Sequence, residues 1–237
     1  MRVLLRVVLT VFGMLALAFF LCLYWVFFYS RDLPDLDALS KFSPSATSTV
    51  IDNCYSAPII AIPYDAIGPN LRGALKAVEA SETGPTAYQQ IARELSDVRE
   101  TSGALSVKVA GTVFCSPQKS LVRQEKELRT AVQLDRRFSR RELFTIAANR
   151  YYFGDDMVGV RTAAQYFFHK DPRDLSVSDA ALLAGLVRAP VYYSPVSHPD
   201  RALKRRNEVL DAMASHSAIS TEEAETAKSA PLGVAIR

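Results

Sequence analysis

From Ser139 to Met213 the chain runs through three apolar helical stretches joined by aromatic-Gly and Ala-Pro breaks, and no other part of it limits the fold as much. The blocks read SRRELFTIAANRYYFG, GVRTAAQYFF, LSVSDAALLAGLVRAPVYYSP and HPDRALKRRNEVLDAM. Three helix starts carry a Ser followed three residues later by an acid, the reciprocal cap of a helix N-terminus: Ser139/Glu142, Ser176/Asp179 and Ser220/Glu223. Upstream, Ser120 to Phe138 reads as a long amphipathic helix. Pro69 opens another, with Leu71, Ala74, Leu75 and Val78 at helical spacing. Ser81 to Gly84 interrupts that helix, and Thr86 to Val98 resumes the pattern. Strand character is confined to TVI and PIIAI between Thr47 and Ile62, a short strand pair ahead of the helices. The pattern is that of a mainly α chain, an all-α domain with short links.

At 237 residues there is room for one soluble domain of about 200 residues plus an accessory segment. That segment is Val7 to Ser30, a 24-residue run without a charge, long enough to cross a bilayer core of about 30 Å as a helix. Arg2 and Arg6 precede it, and Arg31, Asp32, Asp35 and Asp37 follow, a polarity that keeps the N-terminus in the cytoplasm and the body outside. The rival is a cleaved signal peptide, whose apolar region spans about 7–15 residues and ends in small side chains. This run is longer and ends in YWVFFYS, the aromatic border of a membrane interface. The expected arrangement is a cytoplasmic end and transmembrane anchor over 1–30, a linker over 31–46, and one domain over 47–237, outside the cytoplasmic (inner) membrane.

The net charge of +3 is small, but Arg201, Lys204, Arg205 and Arg206 crowd one segment and Arg136, Arg137, Arg140 and Arg141 another. Such clusters beside a membrane suit phosphate-bearing lipids, and they equally suit solvated helix faces. No nucleic acid partner is expected. Cys54 and Cys115 would both face an oxidising compartment, where they form either a disulfide or two buried thiols. The three histidines, His169, His198 and His216, lack metal-ligand spacing, so no protein-built zinc site is expected.

From about Ser116 to Leu232 the blocks and their order resemble the family 51 glycosyltransferases, the peptidoglycan polymerase module of class A penicillin-binding proteins and their monofunctional relatives. Asn149-Arg150-Tyr151-Tyr152-Phe153-Gly154 resembles the family's Asn-Arg-Val-Tyr-Phe-Gly, with Gly154 read as a helix C-terminal glycine. Arg188-Ala189-Pro190 and Tyr193-Ser194-Pro195 resemble its Gln-Ala-Pro and Tyr-Asn-Pro turns, and Arg201, Arg205, Arg206 and Asn207 its closing helix, structural first and substrate-touching second. The resemblance implies a lysozyme-like architecture. It also implies a reaction in which one glutamate takes the proton of an attacking sugar hydroxyl while a second assists departure of a diphosphate. Basic residues and a divalent cation, Mg or Mn, would neutralise that diphosphate, and the donor sugar's anomeric carbon would invert.

Residue by residue, Ala77-Val78-Glu79-Ala80 resembles the family's Ala-Ile-Glu-Asp and makes Glu79 the candidate general base, although Ala80 stands at the Asp position and SETGP replaces the Phe and His that follow. The alternative for Glu79 is an ordinary exposed helix-terminal glutamate. Thr101 to Lys108 (TSGALSVK) falls on a substrate-binding block, where Val107 and Lys108 replace paired glutamines and Ser106 keeps a similar character. Lys108 either meets a phosphate or snorkels at the surface. Arg123, Glu127, Ala131 and Leu134 match the second-glutamate block. On a helix Glu127 shares a face with Ala131 and Leu134, one turn after Arg123, so an arginine would hold a partly desolvated carboxylate ionised. The alternative is a surface ion pair worth a few tenths of a kcal/mol. Asn149 and Arg150 either line the cleft or serve in capping and packing.

Three functions follow. The first is a peptidoglycan glycosyltransferase extending glycan chains from lipid II, with lipid II and the growing chain as its ligands. The second is a weakened relative that binds lipid-linked precursor or cell-wall synthases and regulates them. The third is a glycan hydrolase, which no paired carboxylates in a hydrolase-like context single out, so it trails the other two.

Overall fold

The computed structural model describes residues 2–29, 33–42, 48–50, 54, 58–82, 104–114 and 120–235. Helix α1 is Arg2–Tyr29. Its described side chains, 10–24, are all exposed, and that stretch is shorter than a bilayer crossing. Among the described residues no helix is long and apolar enough to cross a membrane. The domain then begins with a 3₁₀ turn, Asp37–Phe42.

The expected strand pair is present. β1 (Ser48–Val50) and β2 (Ile59–Ala61) are antiparallel, with Ser48 opposite Ala61 and Val50 opposite Ile59. In β2 Ile59 and Ala61 are buried while Ile60 points outward, the period of two of a half-buried strand. Among the described residues eight α-helices follow: α2 (Pro69–Glu82), α3 (Ala104–Val113), α4 (Leu121–Arg137), α5 (Arg140–Arg150), α6 (Val160–Phe168), α7 (Val177–Leu186), α8 (Pro199–Ser215) and α9 (Thr221–Ser229). The helix expected over Thr86 to Val98 lies outside the described residues.

Local chemistry accounts for the helix starts. Ser139/Glu142, Ser176/Asp179 and Ser220/Glu223 all form capping boxes. The Ser120 hydroxyl caps α4 by accepting from the Arg123 N–H. Helix α7 is buried at every residue from Ser178 to Leu186, as an all-round apolar helix must be, and it packs against α2 and α8. Close approach to α8 depends on Gly185, where a β-carbon would sit 2.9 Å from Arg205 Cγ. On the other side of the domain α3 packs on α4 and α5.

The Tyr151–Val160 corner differs from the sequence reading. Helix α5 ends at Tyr151, which turns to extended backbone while its N–H bonds Ala147 O. Gly154 lies beyond the helix, with φ +91°, in a tight turn closed by Met157 N–H to Gly154 O and Phe153 N–H to Met157 O. An isolated antiparallel β-bridge, Tyr152 opposite Val158, follows the end of α5, and the glycine serves the turn. Gly159 has φ +85°, and a β-carbon there would meet Asn149 O at 2.9 Å. Gly159→Ala is expected to cost about 1–3 kcal/mol, from left-handed strain and displaced backbone. Denaturant unfolding measures it; a loss below about 0.5 kcal/mol would show that the corner relaxes freely.

Five members of the two basic clusters make specific contacts. Arg137 contacts Asp37, Arg141 donates to both oxygens of Asp65 at 3.0 Å, and Arg140 reaches Glu79. Arg205 bonds Glu208 at 3.2 Å. Arg206 is fully buried and donates to Ser178 Oγ, Ala230 O and Lys228 O at 3.2, 2.7 and 2.8 Å. That is the structural role expected first for the closing helix.

Candidate active site

Glu79 occupies the last full turn of α2. Leu71, Leu75 and Glu79 fall at i, i+4 and i+8 and so share one stripe. The stripe faces the core, and Glu79 is 7% exposed beside Leu71 at 0% and Leu75 at 6%. The exposed helix-terminal glutamate considered from sequence is thus overturned. Arg140, the first residue of α5, donates from Nη2 to Glu79 Oε1 at 3.0 Å. Burial pushes the Glu79 carboxyl above the ordinary glutamate value, and the charges of Arg140, Lys108 and Lys76 pull part of the way back. A carboxylate with raised proton affinity is what a general base at neutral pH requires. The neighbours that tune it are not the missing residues after Glu79 but cations delivered by α3, α5 and its own helix.

Arg123 and Glu127 meet one turn apart on α4, with Nε donating to Oε1 at 2.6 Å and side chains 15% and 22% exposed. Arg123 Nη2 also donates to Gly111 O at 3.3 Å and Phe114 O at 3.0 Å, carbonyls at the C-terminal end of α3, where a cation is favoured. Its Nη1 is buried without an acceptor among the described residues. A buried donor left in this state costs about 1–3 kcal/mol unless an acceptor arrives, so the guanidinium offers a donor to an incoming anion. Ala131 and Leu134, on the Glu127 face, are fully buried.

The remaining candidates separate. Ser106 is fully buried and its hydroxyl is committed to Asp135, tying α3 to α4. Asn149 is also fully buried; its Oδ1 accepts from Ile62 N and its Nδ2 donates to Ile62 O, both at 2.9 Å. It staples the end of β2 to α5 and does not line a cleft. Arg150 is 3% exposed and clamps Thr112 through Nε to Oγ1 at 3.1 Å and Nη2 to O at 2.7 Å. Burial lowers its pKa to about 10, so it remains a cation at neutral pH.

Lys108 and Arg150 do reach a common space. A pocket of about 470 Å³ is lined by Lys108, Gly111, Arg150, Tyr152, Arg188 and Pro190 among others. The described residues lining it include three cations and no carboxylate. Arg188 and Arg140 were not singled out as site residues from sequence. The available signal for Arg188 was an arginine in place of the family's glutamine. For Arg140 it was only membership of a basic cluster.

The resemblance places the implied Mg or Mn ion with the substrate diphosphate and not in a protein-built site. Among the described residues no three metal-ligating side chains gather, and both candidate carboxylates already face a guanidinium, whereas such ions take several oxygen donors. Cys54 is disulfide-bonded and Cys22 is free; Cys115 lies outside the described residues.

Comparison with known proteins identifies the family. The transglycosylase family model matches residues 59–214. Penicillin-binding protein 1F of Bacillus subtilis (strain 168) is 33% identical over 161 residues, 68% of this chain and 22% of that protein. Penicillin-binding protein 1A of Aquifex aeolicus (strain VF5) is 38% identical over 130 residues, 55% of this chain and 18% of that protein. A crystal structure of penicillin-binding protein 1A from Haemophilus influenzae matches with TM-score 0.38 and 26% identity, over 60% of this chain and 18% of that one. The chain thus spans about a fifth of the length of these relatives. With the match covering β2, both candidate glutamates and α2 through most of α8, the chain belongs to the transglycosylase family, the family 51 glycosyltransferases.

Proposed function

We propose that this protein is a peptidoglycan glycosyltransferase that polymerises lipid II into glycan chains at the outer face of the cytoplasmic membrane. The observation that carries the reading is Glu79, a buried carboxylate of raised proton affinity at the position the family uses for its base. Glu79 takes the proton of the acceptor sugar hydroxyl as that oxygen bonds to the donor's anomeric carbon. The bond from that carbon to the diphosphate breaks, and the carbon inverts. Arg123, oriented by Glu127, presents its Nη1 donor to the departing diphosphate, and Lys108 and Arg188 add positive charge from the neighbouring pocket. Helix α1 would cross the membrane with its N-terminus inside, on the strength of the uncharged run Val7 to Ser30.

The test is lipid II polymerisation by the detergent-solubilised full-length protein beside Glu127→Gln. Wild type should yield glycan chains, and the variant should lose about 10²- to 10³-fold in kcat, the size of a lost charge-stabilising group. A variant as active as wild type would remove Glu127 from the site. A second reading is favoured by Ala80 and by Val107 and Lys108 in place of the family's residues: a weakened member that binds lipid-linked precursor and regulates cell-wall synthases. Binding of lipid II with no chain formation by the wild type would select it.

A further inference from the structure

We propose that Arg140 is the positioning residue for Glu79: its guanidinium, delivered by the first turn of α5, holds the buried carboxylate in place and charged. The inference rests on the reading of Glu79 as the base and extends it to a residue 61 positions away in the chain. Two features locate the contact. Arg140 follows the N-cap Ser139, whose capping box with Glu142 anchors the backbone that carries the arginine. Glu79 sits where the apolar stripe of α2 draws it inward, its side chain 10% exposed against 60% for Arg140. The arginine thus reaches from solvent onto a carboxylate that cannot move out to meet it.

Among the described residues, charged groups act on Glu79 from three elements: Lys76 from α2, Lys108 from α3 and Arg140 from α5. Arg140 contributes the largest favourable charge effect of the three, and its hydrogen bond to Oε1 is directional, whereas the lysines act on Glu79 through charge. A guanidinium also fixes orientation better than an ammonium, because its donors form a rigid planar fork. Arg140 touches neither sugar nor diphosphate in this scheme and acts only through Glu79.

The experiment is a carboxyl ¹³C NMR titration of the full-length protein in detergent, with the Glu79 signal assigned by its loss in Glu79→Gln. Wild type is compared with Arg140→Gln and Arg140→Lys. The Glu79 titration should move upward in pH in Arg140→Gln and return most of the way in Arg140→Lys. In a polymerisation assay, Arg140→Gln should lose roughly three- to tenfold in kcat/KM on the acid side of the profile and recover at alkaline pH. An unchanged Glu79 titration in Arg140→Gln overturns the proposal. So does an activity loss that is equal at every pH. Because the titration needs no turnover, it decides the role of Arg140 even if the wild type makes no glycan, which would instead count against the proposed function.

Discussion

Glu79→Gln should reduce lipid II polymerisation by about 10²- to 10⁴-fold in kcat, the usual contribution of a positioned general base, without lowering stability at neutral pH. The two halves of this expectation have one cause. Burial raises the Glu79 carboxyl above the ordinary glutamate value, so the folded state binds that proton more tightly than the unfolded chain does. The stability this group contributes is therefore fully present below the ordinary glutamate value and is lost as pH rises through the folded value. At neutral pH the ionised Glu79 is a net cost to folding that a neutral amide does not carry. The Tm of Glu79→Gln should accordingly equal or exceed that of wild type at pH 7.5, and the difference should close as the pH is lowered below the carboxylate range. The same shift places the acid limb of wild-type activity above the ordinary glutamate value. Retained polymerisation in Glu79→Gln would assign the base elsewhere. A lower Tm at neutral pH would show that the Arg140 pair outweighs burial.

Arg206→Met should produce the largest loss of stability in the domain, about 3–5 kcal/mol. Methionine fills a similar volume, so the effect isolates polar chemistry from packing. Arg206 is fully buried, and its guanidinium satisfies Ser178 Oγ on α7 and the carbonyls of Ala230 and Lys228 around the end of α9. Removing it takes the donor from one buried and two part-buried acceptors, each at a cost of up to about 1–3 kcal/mol where water does not replace it. At about 2–4 °C per kcal/mol for a domain of this size, the Tm should fall by roughly 10 °C, readable by thermal unfolding. A fall smaller than about 2 °C would mean that water replaces the guanidinium and that α9 is not held by this residue.

Much of the candidate site could be read before the fold was known, where the deciding interaction is local. The Arg123–Glu127 pair is an i, i+4 contact that α4 alone makes. Resemblance alone singles out Glu79 as the candidate base; that the stripe of Leu71 and Leu75 carries it inward is a finding of the structure. Asn149 and Ser106 show the opposite case. Both read as substrate contacts because their neighbours match a family block, yet Asn149 is consumed by Ile62 and Ser106 by Asp135. A motif match preserves residue type and spacing, and it does not say which polar groups the fold has already spent on itself.

Legible in the residues alone were the helical class, the three capping boxes, the short strand pair ahead of the helices and the shared helix face of Glu127, Ala131 and Leu134. Each depends on residues within a few positions of one another, where backbone geometry and side-chain spacing leave little choice. It took the folded domain to show that Arg140 meets Glu79, that Lys108, Arg150 and Arg188 line one pocket, that Arg206 is a buried clamp, and that Gly154 serves a turn beyond its helix. Those outcomes follow from how separate helices dock. Docking is set by the summed burial of apolar faces over the whole domain, and no local pattern encodes which charges that docking brings within hydrogen-bonding distance.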